Sequence, residues 1–233
     1  MPGPGHSPEA TLLHSMSLGE TFKRRTYGYR EFRDALGDIL RDGVLRRAGQ
    51  LDPGFRERLM LAVTEVNGCR YCSYLHSRVA LGTGMDDAEV RALLAGELES
   101  SPPEQLAGLM FAQHWAETRG RPARDAVERL VEEYGPETAA NIVAAVQSIM
   151  LGNLYGNTFD ALLWRLRGRS VPERGFFEII AVLLGGVWVA PATWIGMAWR
   201  RLAGTAPEAM HPIDDARRLA IDDGSAEANR DAA

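Results

Sequence analysis

A chain of 233 residues, 45% apolar and 24% charged, has the make-up of a soluble globular protein with one well-buried domain plus an appendage, or two small domains. Its net charge of −5 argues against nucleic acid as the main partner, because phosphate binding needs a concentrated basic face. The N-terminus has no basic start followed by an apolar run, so no secretory signal is read and a cytoplasmic chain with reduced thiols is expected.

Apolar residues recur with a helical period almost throughout, and no alternating strand is evident, so the fold class is all-α. Residues 1–19 are expected to be a flexible N-terminus. Phe32, Leu36, Ile39, Leu40 and Val44 then predict one amphipathic helix. Asp52-Pro53 reads as an N-cap followed by proline in the first helical position, and Leu59, Val63 and Val66 carry that helix to a break at Asn67-Gly68. A new helix is predicted from about Cys69 to Leu81, ending at Gly82 or Gly84. Asp86 with Glu89, and Ser101 with Glu104, form capping-box patterns ahead of two further helices. Pro122 opens a helix that ends at Gly135, and Pro136 starts the longest one. Residues 20–167 thus read as one helical domain.

A polar connector follows, and composition then changes sharply. Residues 179–199 hold no charged side chain and number 21, about the length that crosses a hydrocarbon core. Gly185-Gly186 and Pro191 weaken a single helix there. Two short apolar helices packed on the protein and a membrane contact both account for this segment, within a linker and apolar stretch spanning 168–203. The remaining 204–233 is expected to be a largely disordered tail.

Both cysteines lie in "NGCRYCSYLH". In a helix that starts near Cys69, the spacing puts Cys69, Cys72 and His76 on one face. A thiolate at a helix N-terminus is favoured by unpaired amides and the helix dipole, and His76, one turn beyond Cys72, is placed to take its proton or stabilise its thiolate. A thiolate attacking a hydroperoxide becomes a sulfenic acid, which a neighbouring thiol converts to a disulfide; an external dithiol then restores the pair. A disulfide staple across so short a loop removes little chain entropy. Zinc held by Cys69, Cys72, His76 and Glu57 is the rival, although structural zinc sites are mostly cysteine-rich and drawn from two segments.

The segment "RERLMLAVTEVNGCRYCSYLH" resembles the active-site stretch of the alkylhydroperoxidase AhpD-like and carboxymuconolactone decarboxylase superfamily: a glutamate, eleven residues, then C-x2-C-x3-H, filled here by Glu57, Cys69, Cys72 and His76. The resemblance extends more loosely over residues 50–165, including "YGPETAANIV" and "NLYGNTFDALL". It implies an all-helical, AhpD-like bundle assembled as a homotrimer or hexamer. It also implies a peroxidase-type oxidoreductase in which Glu57 relays a proton to His76, His76 activates Cys72, and Cys69 is the disulfide partner. The substrate would be a hydroperoxide, and the reductant a dihydrolipoyl carrier or thioredoxin-type protein. AhpD has a histidine between its cysteines where this chain has Tyr71, and a phenol is not the same base at neutral pH. Members without the cysteines are the lactone decarboxylases.

No glycine-rich nucleotide fingerprint follows a strand, and nothing indicates flavin or haem, so no cofactor is expected. A lactone enzyme of the decarboxylase kind and a non-catalytic redox-sensing or assembly protein remain alternatives. Away from the motif, Glu65 reads as a surface residue and His114 as a packing or surface histidine. Asn153 and Asn157 read as interhelical hydrogen-bonders, and Tyr71 and Tyr74 as residues lining the site.

Overall fold

The computed structural model of the protein describes residues 24–40, 44–171, 175–202 and 212–219. Helix α1 (Tyr29–Leu40) buries Phe32 and Leu36, as its period predicts, but Val44 belongs to a separate short helix, α2 (Val44–Ala48). Helix α3 (Pro53–Asn67) begins where Asp52 accepts the Phe55 amide at 2.9 Å. It stops at Gly68, whose left-handed backbone (φ 66°, ψ 29°) lets its N–H reach the carbonyls of Thr64 and Glu65. Helix α4 (Arg70–Gly82) starts two residues later with Cys69 as its N-cap.

Helix α5 (Asp87–Leu94) is capped by Asp86, which accepts the amides of Ala88 and Glu89. The expected reciprocal bond from Glu89 is replaced by a two-pronged pairing with Arg58 at 2.6 and 3.2 Å. Ser101 caps nothing. The following proline pushes Pro102 to an extended backbone (φ −55°, ψ 131°), so one 3-10 turn, Pro103–Gln105, precedes helix α6 (Leu106–Glu117). The Ser101 hydroxyl is buried without a hydrogen bond.

Helix α7 (Arg124–Leu166) is two helices joined at Gly135, where φ 73° and ψ 162° interrupt the helix just before Pro136. Its second part buries Ala139, Ala140, Ile142 and Val143 through Val146, then Ile149, Met150 and Leu154. A helix apolar on nearly every side belongs at the centre of a domain, and this one packs against α3, itself buried from Leu59 to Thr64. Helices α1, α2, α4 and α6 surround the pair. Between α3 and α7, Thr64 donates to Asn153 at 3.2 Å and Asn157 donates to the Asn67 carbonyl at 2.8 Å, the interhelical bonds the sequence suggests.

The apolar C-terminal segment is one helix, α8 (Phe176–Leu202), with Pro191 inside it, instead of two short ones. It docks through Ile179 and Val182, and through Gly185, where a Cβ would come within 2.7 Å of the Phe32 ring. Among the described residues no helix is long and apolar enough to cross a membrane, so a membrane span through 179–199 is not borne out. Within the stretch expected to be a disordered tail, α9 (Pro212–Leu219) packs Ile213 and Ala216 against α7, and Arg217 pairs with Glu128 at 2.8 and 2.9 Å. The expected flexible N-terminus, 1–19, lies outside the described residues.

Candidate functional site

The left-handed turn at Gly68 places Cys69 at the corner between α3 and α4. Its sulfur is turned back over the start of α4, where it accepts the Cys72 amide at 3.3 Å. Cys72 stands one turn further on, and the two sulfurs lie 2.6 Å apart as free thiols. Cys69 is fully buried, while Cys72 is 9% exposed and faces a cleft.

Their acidities diverge for a structural reason. A hydrogen bond from the Cys72 thiol is the main cause that holds Cys69 below the ordinary thiol range. The amides of Cys72 and Tyr71 act the same way, against burial and the negative charge of Asp160. Cys72, as donor to Cys69 and partly buried, is pushed well up. The first proton therefore leaves Cys69, and Cys72 keeps its own.

Glu57 is 3% exposed on α3, so its carboxylate is buried and not a solvated helix charge. One carboxylate oxygen meets His76 Nδ1 at 2.8 Å and the other receives Arg56 Nε at 3.4 Å. The carboxylate fixes the imidazole so that Nδ1 carries a proton and Nε2 is left for other work. Among the described residues no hydrogen bond joins His76 to either sulfur, and no group of three or more His, Cys, Asp or Glu side chains is arranged to hold a metal ion.

The cleft measures about 400 Å³ and lies between α4 and α7. Met60, Leu75 and Ile149 give it apolar walls, and Tyr71, Cys72, His76 and Ser148 supply its polar groups. Its floor is glycine. A Cβ at Gly156 would stand 2.6 Å from Cys69 Sγ and 3.7 Å from Cys72 Sγ, so the sulfur pair occupies the space that a side chain would need. Sequence reasoning missed Gly156, although a glycine inside a long helix, at a cost of about 1 kcal/mol, is itself a sign of close approach.

Asp160 was missed too. It is 2% exposed on α7 and forms ion pairs with Arg24 and with Arg70, the residue next to Cys69. These pairs tie the start of α4 to α7 and to the chain ahead of α1. Tyr71, read as lining the site, does so while its hydroxyl turns toward Arg70, which donates to it at 2.8 Å. His114 has the packing role expected of it, its Nε2 accepting the Ala123 amide at 2.9 Å just before α7. Glu65 is half-buried instead of on the surface; burial, with the charge of Glu117 second, holds its carboxyl above the usual range.

Residues 32–101, from α1 to just past α5, match the model of the carboxymuconolactone decarboxylase family. Over that stretch the chain is similar to the carboxymuconolactone decarboxylase/AhpD-like superfamily. No curated protein and no solved structure matches it significantly. The family match contains Glu57, both cysteines and His76 but stops short of Gly156 and Asp160. The paired thiols, beside a histidine held by a buried glutamate, are consistent with a redox site.

Proposed function

We propose that the protein is a thiol-dependent oxidoreductase that cycles Cys69 and Cys72 between dithiol and disulfide, with a hydroperoxide as oxidant. The observation that carries this reading is the division of labour between the sulfurs: Cys72 faces the cleft, and the more acidic Cys69 is buried against helix amides.

The first proton lost by the pair goes to His76 Nε2, directly or through one water, with Glu57 supporting the imidazolium, and the proton that Cys72 shares with Cys69 moves onto Cys69 as Cys72 attacks. The Cys72 thiolate attacks the distal oxygen of the hydroperoxide; the O–O bond breaks, the alcohol leaves with the proton held by His76, and Cys72 becomes a sulfenic acid. Cys69 then attacks that sulfur, giving up its proton toward the leaving oxygen. Hydroxide departs, is protonated to water, and the disulfide forms. An external dithiol, of the dihydrolipoyl or thioredoxin type, closes the cycle. Its thiolate attacks the accessible Cys72 sulfur and expels Cys69, whose low pKa makes it the better leaving group. Its second thiol then releases Cys72 and becomes a disulfide.

A second reading is favoured by the family that residues 32–101 match: a decarboxylase-like enzyme acting on a lactone in the same cleft. One experiment separates the two. Thiols are counted on the reduced protein before and after one equivalent of an organic hydroperoxide, with Cys69→Ser and Cys72→Ser alongside. Loss of two thiols in the wild type, with sulfenic acid trapped only where Cys72 remains, is the expected result. Survival of both thiols overturns the redox reading, and lactone turnover that persists in the double serine variant establishes the second.

A further inference from the structure

Two glycines, Gly152 and Gly156, stand one turn apart on α7 and form the floor of the cleft. They do different things. At Gly156 the added Cβ would collide with the Cys69 sulfur, so glycine is required there for packing. At Gly152 an added Cβ would meet a single neighbour, Ile149 Cδ1, at an ordinary 3.8 Å. Packing does not ask for glycine at this exposed position, and the helix is weaker for having it. What the missing side chain leaves is open cleft.

The polar side chains lining the cleft are Tyr71, Cys72, His76 and Ser148. Ser148 spends its hydroxyl on the Ala144 carbonyl at 2.7 Å, and the Tyr71 hydroxyl is engaged by Arg70. Cys72 and His76 therefore receive the reacting polar group, and the rest of a ligand lies over Gly152 between Ile149, Met60 and Leu75.

We propose that Gly152 is the size-determining residue of the cleft: by presenting no side chain, it admits the bulky apolar portion of an organic molecule whose polar end reaches Cys72. As a statement about substrates this rests on the redox reading above; as a statement about access to Cys72 it stands alone.

The test uses the reduced full chain, with Gly152→Ala and Gly152→Leu. Alkylation of Cys72 by iodoacetamide, which is small, and by pyrene maleimide, which is bulky, is followed by mass mapping. The same proteins are then given hydrogen peroxide and cumene hydroperoxide. Both variants replace a helical glycine with a strong helix former, so their thermal stability is expected to hold or rise. In Gly152→Leu, reaction with the bulky maleimide is expected to fall by about tenfold or more, with iodoacetamide changed little. Gly152→Ala should lie between. Cumene hydroperoxide and hydrogen peroxide should part in the same way. Equal slowing of both alkylating reagents, or slowing of neither, overturns the role of Gly152. A wild type that consumes neither peroxide, while alkylation discriminates by size, overturns the redox reading and leaves the role of Gly152 standing.

Discussion

Replacing Gly156 with alanine tests the packing on which the dithiol depends. Inside a helix the change ordinarily stabilises by about 1 kcal/mol. Here the new Cβ would stand 2.6 Å from the Cys69 sulfur, whereas carbon and sulfur settle at about 3.5–4 Å, so the sulfur or the helix must retreat by about 1 Å. Overpacking of that kind costs about 1–3 kcal/mol. The expected balance is a loss of about 1 kcal/mol, or about 2–4 °C in Tm for a chain of this size. A second consequence is chemical. Moving the Cys69 sulfur away from the Cys72 amide, now 3.3 Å distant, removes part of what favours its thiolate, so its pKa rises toward the ordinary thiol value. Thermal unfolding by circular dichroism gives the first quantity, and thiolate ultraviolet absorbance against pH gives the second. A Gly156→Ala protein about 1 kcal/mol more stable than wild type, titrating unchanged, would refute the argument, because it would mean the sulfurs do not rest on α7.

Glu57→Gln retains an acceptor for His76 Nδ1 but removes the charge, so peroxide-dependent loss of the Cys72 thiol should slow by about 10²-fold, the lower end of what a positioned base contributes; an unchanged rate measured by thiol quench removes the relay. The thiol pair also shapes stability against pH. Cys69 has a folded pKa below its unfolded one, so between those values the unfolded chain binds more protons and stability rises with pH; above the unfolded thiol pKa of about 8.5, Cys72 still holds its proton and stability falls. Urea midpoints across that range should peak near the unfolded value in the wild type, and the local peak should vanish when both cysteines are serine. Ile213→Ala should cost about 2 kcal/mol in urea unfolding, since Ile213 is 2% exposed against α7; no loss would mean that α9 is not part of the cooperative unit.

Much of the site was legible in one dimension because its geometry is local. Asp52-Pro53, Asn67-Gly68 and the C-x2-C-x3-H spacing act within a turn or two, and they are enough to start α3, break it at a left-handed glycine and begin α4 with a cysteine at its cap. Where local signals failed, a neighbour intervened. Glu89 closes no capping box because Arg58 claims it, and Ser101 caps no helix because Pro103 forbids a helical backbone before it. The apolar run after residue 178 forms one helix through Gly185-Gly186, where glycine lets α8 lie against Phe32.

The sequence by itself determined that the protein is helical, that its two thiols share a helix start with a histidine one turn beyond, and that a glutamate stands at the family's spacing before them. Tertiary structure alone decided that Cys69 is fully buried while Cys72 faces a cleft. That choice depends on how α7 meets α4: Gly156 makes room for the sulfurs, Asp160 with Arg70 holds the helix start, and the open floor at Gly152 faces Cys72. Gly152, Gly156 and Asp160 lie 80 or more positions from the cysteines along the chain, and only packing of the central helices brings them to the same site.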